Sequence, residues 1–355
     1  MDGPLDAARA SSSGGAGVGI GYGLGAAAAR AGARCVYSGI MRSGSRSASY
    51  AAEARELVFL QRSFATSCLI DATMSKKVSA SAAGSVRIGD LYVHRIGFGT
   101  MELTGQGAWG PPADVDAMID LLRTAVAHDV SFIDTADAYG PAVAERLIAQ
   151  ALHPYDGVLV ATKGGLTRPG SHDWHPNGDP DYVYNACLAS MERLRIDKID
   201  LYQLHASDPS RSFAGSMQAL RRLQREGKVR SIGVSNVSEE QLKEALASGP
   251  VASVQNRYNI ADRQHEAVLR LCEQQEIAFI PYTPLAGAEL PAVQEMAAKY
   301  NVFPHQLVLA WLLQHSPVML PIPGTTSVIH LLQNIAAANI NIDRGDVEYL
   351  NNVIQ

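Results

Sequence analysis

The chain has 355 residues, of which 47% are hydrophobic and 18% are charged, and its formal net charge is −5. That composition is typical of a globular protein with one large domain or two medium ones. It carries no basic surplus that would favour nucleic acid or a membrane surface as a partner, and it has no apolar run near the roughly 20 residues that cross a bilayer. The four cysteines form no C-x-x-C pair, which favours reduced thiols over a metal site.

The N-terminal part of the chain differs in composition from the rest. Residues 1–73 are rich in Ala, Gly, Ser and Arg, contain no lysine and show little apolar periodicity. Gly21, Gly23 and Ala26 fit the dinucleotide-binding pattern G-x-G-x-x-A, but no buried strand precedes them, and the pattern requires that strand. We therefore interpret the match as fortuitous and predict a low-complexity, disordered extension over residues 1–82.

This extension has three interpretations. It is a remnant or a mis-started translation with Met74 as the functional start, a targeting segment that is rich in Arg and Ser and poor in acidic residues, or an extra layer packed on the folded domain. We expect a cytoplasmic protein, or import into an organelle if residues 1–73 are a transit peptide.

After Met74, short apolar runs alternate with amphipathic segments to the end of the chain. Runs such as "GVLVATKGG" and "VMLPIPG" are continuously apolar, as expected for a parallel sheet covered by helices. Counting "HRIGFGT" as the first strand gives eight strand–helix units over about 260 residues, which predicts an α/β fold, a (β/α)8 TIM barrel, over residues 83–355. The stretch "SVRIGDLYVHR" predicts a preceding hairpin that closes the bottom of the barrel. A doubly wound sheet would need a glycine fingerprint that "RIGFGTMELTG" lacks.

Four reactive side chains follow successive predicted strands. Asp134 ends the second strand and Tyr139 lies in the loop beyond it, while Lys163 ends the third strand and His205 the fourth. Catalytic residues of (β/α)8 barrels lie at the C-terminal ends of the strands. A single Lys or Asp at such a position is usually part of a structural ion pair, but four reactive groups at one mouth indicate an active site.

The motifs "FIDTADAYG", "ATKGG", "DLYQLH", "GKVRSIGVSN", "VQNRYN" and "YTPLAG" together resemble the aldo-keto reductase family in order and spacing, over about residues 86–355. The resemblance implies a barrel enzyme that uses NADPH, with NADH as the alternative, to reduce aldehydes and ketones, or that catalyses the reverse reaction. Tyr139 is then the general acid, and the Lys163 ammonium lowers the pKa of its phenol. Asp134 holds Lys163 in place, and His205 donates a hydrogen bond to the substrate oxygen. No metal is required.

The same resemblance implies the cofactor contacts. Ser235, Asn236 and Gln255 hold the nicotinamide carboxamide, and Tyr282 stacks on the nicotinamide ring. The remaining cofactor residues surround the strand ends, the pyrophosphate and the adenosine, and they are Gly99, Thr100, Met101, Leu285, Gly287, Gly324, Thr325, His330 and Asn334. Gly324 and His330 stand where the family's well-studied reductases have basic residues, which leaves the preference between NADP and NAD open.

The substrate side carries fewer signals. Trp109 and Trp174 are the predicted substrate residues, and simple loop packing is the alternative for both. The stretches "TGQGAWGPP", "ALHPY" and "VQNRYNIADR" resemble one subgroup, the bacterial pyridoxal reductases or pyridoxine 4-dehydrogenases, which implies a flat aromatic aldehyde such as pyridoxal. The predicted partner is thus a small carbonyl compound, with the oligomeric state open. The alternative function is a cofactor-binding regulatory subunit with little turnover, similar to potassium-channel β-subunits.

Overall fold

The computed structural model describes residues 78–353. The predicted extension up to residue 77 lies outside the described part of the chain. Val78 and Ala80 are already buried in the main hydrophobic core, and a 3₁₀ turn at Ala80–Ala83 follows. The packed chain therefore includes the last residues that were assigned to the extension, and the boundary further upstream stays a prediction.

An antiparallel hairpin precedes the barrel and consists of β1 (Ser85–Ile88) and β2 (Leu91–His94). Its turn requires a glycine at Gly89, where φ is +62° and an added Cβ would clash with Ser231 Oγ. The apolar side of the hairpin packs on side chains inside the barrel, and its buried residues are Val86, Ile88 and Val93. The hairpin closes the bottom of the barrel, as predicted.

Seven parallel strands form one sheet, and their spatial order is their chain order. They are β3 (Phe98–Gly99), β4 (Phe132–Asp134), β5 (Leu159–Gly164), β8 (Ile199–Leu204), β9 (Val229–Ser235), β10 (Ser253–Arg257) and β11 (Ala278–Tyr282). The loop after β5 contains a small antiparallel pair, β6 (Leu166–Thr167) and β7 (His175–Pro176).

Residues 318–322 close the sheet into a barrel. Leu320 N donates to Phe279 O at 2.9 Å on one side, and Gly97 N donates to Pro321 O at 3.0 Å on the other. The segment therefore occupies the eighth strand position, between β11 and β3, and the predicted (β/α)8 barrel is confirmed.

Neighbouring residues of the strands face opposite layers of the core. Phe132 and Leu159 point into the barrel, where the hairpin covers them, whereas Ile133 and Val160 pack with the helices. Both faces of the strands are buried, which explains why the strands appear in the sequence as unbroken apolar runs.

Helices surround the barrel and follow its strands. They are α1 (Val115–Ala127), α2 (Val143–Leu152), α3 (Pro180–Leu194), α4 (Phe213–Arg225), α5 (Glu239–Ala247), α6 (Glu266–Gln275), α7 (Pro291–Tyr300), α8 (Pro304–His315), α9 (Val328–Ala336) and α10 (Arg344–Val353). Several begin at capping residues: Asp179 caps α3 ahead of Pro180, and Ser238 and Gln241 form a capping box on α5. Within residues 78–353, no helix has the length and apolar character needed to cross a membrane.

Candidate active site

The four reactive residues predicted at the strand ends meet at the C-terminal mouth of the barrel. Lys163 Nζ donates to Asp134 Oδ2 at 2.7 Å, to Thr135 O at 2.9 Å and to Tyr139 Oη at 3.3 Å. The ammonium thus uses its three N–H donors on three acceptors. His205 lies edge-on to Tyr139, with their ring centroids 5.8 Å apart. The arrangement joins an acid, an amine, a phenol and an imidazole in one cluster.

The second carboxylate oxygen of Asp134 is also hydrogen-bonded. Gln255 Nε2 donates to Asp134 Oδ1 at 2.8 Å and Gln203 Nε2 does so at 3.4 Å, while Ser253 Oγ donates to Gln203 Oε1 at 3.0 Å. A buried ion pair is stable only when its remaining polar positions are satisfied. Gln203 was not selected from the sequence, although its position two residues before His205 puts both side chains on one face of β8.

Burial dominates the acid–base properties of Tyr139. Removal from water raises the pKa of its phenol above the ordinary value of 10.0, and the Lys163 charge, which lowers that pKa, offsets only part of the rise. The expectation of a lowered pKa is therefore corrected. Lys163 does lower the pKa of Tyr139, as expected, but the desolvation of the phenol raises it by more.

The pKa values of Lys163 and His205 are shifted in opposite directions. Burial alone would lower the pKa of Lys163, but the charge of Asp134, the interaction with Tyr139 and the hydrogen bonds to both raise it, so the ammonium stays charged. Burial, followed by the charges of Lys163 and Arg168, lowers the pKa of His205 well below 6.5. The imidazole is therefore neutral at neutral pH and carries one N–H donor.

A cleft of about 540 Å³ opens above this cluster, a volume in the range of small-molecule sites. Asp134, Tyr139 and His205 contribute to its lining, whereas Lys163 is buried behind them. The predicted cofactor and substrate residues that line it are Gly99, Thr100, Met101, Ser235, Asn236, Gln255, Tyr282, Leu285, Gly324 and Trp174. The fold thus gathers residues from distant parts of the sequence around one cavity.

The other predicted cofactor and substrate residues are not part of the cleft lining, and they are Trp109, Gly287, Thr325, His330 and Asn334. His330 is exposed in the first turn of α9, and Asn334 is buried in the same helix. The Oδ1 atom of Asn334 has no hydrogen-bond partner among the described residues. A buried acceptor of this kind is suited to an N–H group of a ligand.

The residues predicted for the nicotinamide end are linked to one another. Asn236 has a left-handed backbone with φ of +56°, a conformation that Asn tolerates better than most residues. Its Nδ2 donates to Ser235 Oγ at 3.1 Å and to His205 O at 3.0 Å, and its Oδ1 accepts from the Tyr282 hydroxyl at 2.7 Å. This network connects the predicted cofactor pocket to the backbone of a reactive residue.

Arg168, which was not selected from the sequence, lies directly after β6 at the mouth of the barrel. Its guanidinium donates to five backbone carbonyls and lies 3.5 Å from the ring centroid of Trp174 and 5.6 Å from that of Trp109. A single loop arginine has no sequence pattern that distinguishes it from a solvated charge, so only the fold identifies this position.

Comparison with known proteins assigns the family. Residues 95–355 match the model of the Aldo/keto reductase family. The chain belongs to the aldo/keto reductase family. This aldo-keto reductase is 44% identical to an uncharacterized oxidoreductase of Schizosaccharomyces pombe over 272 residues, which span 76% of its chain and 89% of that protein. It is 36% identical to pyridoxine 4-dehydrogenase of Escherichia coli over 271 residues, which span 74% and 95%.

Solved structures have the same fold as this aldo-keto reductase. An aldo/keto reductase from Klebsiella pneumoniae in complex with NADP and acetate matches with a TM-score of 0.66 at 28% identity, covering 76% of this chain and 95% of that one. The thermostable aldo-keto reductase Tm1743 in complex with the inhibitor epalrestat matches with a TM-score of 0.67 at 26% identity, covering 75% and 98%. The family predicted from the motifs is therefore confirmed.

Proposed function

We propose that this aldo-keto reductase reduces an aldehyde or ketone to an alcohol with NADPH, and that Tyr139 is the general acid. The observation that carries the proposal is the contact of Lys163 Nζ with both Asp134 and the Tyr139 hydroxyl beneath an open cleft. A purely structural ion pair requires neither a phenol within hydrogen-bond distance of its ammonium nor a cavity that gives a ligand access to that phenol.

The proposed reaction adds a hydride to the carbonyl carbon and a proton to the carbonyl oxygen. The bound dinucleotide supplies the hydride. Tyr139 Oη transfers its proton to the oxygen as negative charge develops there, and the Lys163 ammonium 3.3 Å away stabilises the phenolate that is left. His205 orients the same oxygen through the N–H of its neutral imidazole. Asp134 keeps Lys163 charged and in place.

Residues around the cleft fit the nicotinamide end of the proposed cofactor. Ser235 presents its hydroxyl and Asn236 its Oδ1 to a carboxamide, since both N–H donors of Asn236 are already used, and the Tyr282 ring lines the cavity beside them. Gln255 Nε2 is committed to Asp134, so its Oε1 is the atom that would accept from the carboxamide. The Klebsiella pneumoniae relative crystallised with NADP supports the same class of cofactor.

The segment from Gly324 to α9 fits the adenosine end. Asn334 Oδ1, which has no hydrogen-bond partner in the described part of the chain, suits the amino group of adenine. Thr325 and the N-terminus of α9 supply hydroxyl and backbone donors for a phosphate. Since Gly324 and His330 provide no permanent positive charge, we propose that NADPH is preferred over NADH by a smaller margin than an arginine would give.

Pyridoxal is the substrate that we propose to test first. Trp174 lines the cleft with its ring centroid 6.4 Å from that of Tyr139, which suits a flat aromatic aldehyde. The Escherichia coli relative named pyridoxine 4-dehydrogenase supports the same substrate class. The enzyme would then be a pyridoxine 4-dehydrogenase that works as a pyridoxal reductase.

The test measures NADPH oxidation by the purified protein with a panel of aldehydes and ketones that includes pyridoxal. We expect turnover with aromatic aldehydes. The ratio of kcat/KM for pyridoxal to that for benzaldehyde then shows whether pyridoxal is preferred. Binding of NADPH without turnover on any member of the panel would contradict the proposal and favour a cofactor-binding subunit.

The cytoplasmic location and the origin of residues 1–73 stay predictions. Mass spectrometry of the N-terminus of the native protein separates the interpretations of the extension. A peptide from residues 1–60 in that protein would contradict a functional start at Met74.

A further inference from the structure

Arg168 links three loops at the mouth of the barrel. Its half-buried side chain extends from the loop between β6 and β7 to the loop after β3 and to the loop that carries Tyr139. A guanidinium has five N–H donors in a rigid plane, and here all five bind backbone carbonyls at 2.6 to 3.2 Å. The accepting carbonyls belong to Gly107, Ala108, Ala138, Ser171 and Asp173.

The same guanidinium stacks on the tryptophan that faces the cleft. Arg168 Cζ lies 3.5 Å from the ring centroid of Trp174, the distance of a close cation–π contact. Trp174 is 36% exposed, and its ring lies at 73° to the ring of Tyr139. The guanidinium thus covers one face of this partly exposed indole.

Backbone hydrogen bonds connect the loop after β3 to the Tyr139 loop. Gly110 N donates to Gly140 O at 2.9 Å, and Gly140 N donates to Ala108 O at 3.0 Å. Arg168 Nη1 donates to Ala108 O and to Ala138 O, the carbonyl just before Tyr139. The two backbone–backbone hydrogen bonds hold the Tyr139 loop without Arg168, so a displacement of the guanidinium should loosen mainly the substrate side.

We propose that Arg168 is a positioning residue that holds Trp174 as a flat apolar wall beside Tyr139, and thereby makes the enzyme selective for aromatic carbonyl substrates. The inference rests on the proposed carbonyl reduction. Arg168 is not a ligand for a substrate carboxylate, because its donors are committed to main-chain carbonyls. Lysine cannot replace it, since an ammonium has three donors and no planar face to stack on an indole.

The experiment compares Arg168→Lys with the wild-type enzyme on propanal, benzaldehyde and 4-carboxybenzaldehyde. We expect KM to rise about tenfold for both aromatic aldehydes, with kcat and the KM of propanal changed less than about twofold. Arg344→Lys is the matched control, because the Arg344 side chain is 91% exposed and pairs with Glu348 within α10. A second variant, Trp174→Leu, removes the indole and leaves the arginine in place, and it should raise the same two KM values.

A loss confined to 4-carboxybenzaldehyde would overturn the inference, because Arg168 would then bind the substrate directly. An equal loss on all three aldehydes, or no loss in either variant, would overturn it as well. Amide hydrogen exchange tests the positioning role without turnover: Arg168→Lys should speed exchange in residues 105–112 and 169–176 and leave β5 unchanged. An enzyme without turnover that shows this exchange pattern would contradict the proposed function but not the positioning role, whereas unchanged exchange would contradict the positioning role.

Discussion

The floor and the wall of the cleft differ in what holds them. The floor consists of Asp134 on β4, Lys163 on β5 and Tyr139 in the loop after β4, and all three are almost fully buried. The wall consists of Trp174, which lies on a loop and is 36% exposed, and of the neighbouring loop that carries Trp109, which is 37% exposed and does not line the cleft. Barrel strands hold reacting groups in a fixed geometry, whereas loops can vary without disturbing the core. The proposed chemistry is thus built into the scaffold, and the choice of substrate is left to contacts that a few residues control.

Loss of the general acid is the strongest test of the floor. Tyr139→Phe removes the proton donor and keeps the ring, so we expect kcat to fall by about 10²–10⁴. The dissociation constant of NADPH, measured by fluorescence, should change less than about twofold, because the removed hydroxyl faces the carbonyl. A variant with wild-type turnover would show that another group donates the proton.

Breaking the buried ion pair is expected to cost stability as well as activity. Lys163→Met leaves the Asp134 carboxylate buried without a counter-ion, which should lower the free energy of unfolding by about 3–5 kcal/mol. Urea denaturation measures this loss. The double variant Asp134→Asn with Lys163→Met should recover part of it, and equal stability of the single and double variants would contradict the uncompensated charge as the cause.

A substitution in the wall should have a milder effect than those in the floor. Gly107 has φ of +71°, and a Cβ there would lie 3.1 Å from the His172 ring, so Gly107→Ala strains the loop. We expect a loss of about 1 kcal/mol in the free energy of unfolding and a higher KM for aromatic aldehydes, with kcat preserved. Gly227→Ala is the control, since Gly227 also has a positive φ, +74°, but no atom of the described residues lies within 4 Å of its added Cβ. Equal effects of the two variants on KM would contradict a special role of the Gly107 loop.

On the cofactor side, we expect a smaller effect that changes the affinity for NADPH but not that for NADH. His330→Arg adds a permanent charge in the first turn of α9, and we expect the dissociation constant of NADPH to fall about tenfold. That of NADH should stay nearly the same, because NADH lacks the 2′-phosphate. Titration of both cofactors measures the difference, and an equal gain for both would contradict the proposed location of that phosphate.

The pH dependence of the reaction should be the smallest effect. The raised pKa of Tyr139 keeps the acid protonated up to its ordinary value of 10.0 and beyond, and the lowered pKa of His205 removes any titration near 6.5. We therefore expect kcat for reduction to be flat between about pH 6.5 and 9. A step near pH 6.5 that disappears in His205→Gln would contradict the neutral imidazole.

The lowered pKa of His205 also makes the stability of the fold depend on pH. His205 has its ordinary pKa in the unfolded chain and a much lower one in the folded protein. The unfolded state therefore binds more protons just below pH 6.5, and stability falls as the pH is lowered through that range. Denaturation of the wild type and of His205→Gln at several pH values measures the contribution, and an identical pH dependence of the two would contradict it.

Sequence patterns selected the residues of the floor and Trp174 of the wall, but not the residues that hold them. Asp134 and Lys163 were selected from their positions at strand ends and Tyr139 from the loop just beyond, because strands of a parallel barrel all point to one mouth. Gln203 and Arg168 were missed, because their roles depend on partners that are far away in the chain. Gln203 Nε2, for example, contacts a carboxylate 69 residues away. The net pKa shift of Tyr139 was predicted with the wrong sign, because the degree of burial is a property of the whole fold.

The alternation of apolar runs and amphipathic segments determined the barrel by itself, since each strand must bury both faces and each helix one. The order of reactive residues along that alternation determined the floor. Only the tertiary structure decided which groups share hydrogen bonds, how far burial outweighs a neighbouring charge, and how Arg168 holds Trp174. These depend on distances between separate loops and strands, which local periodicity does not encode.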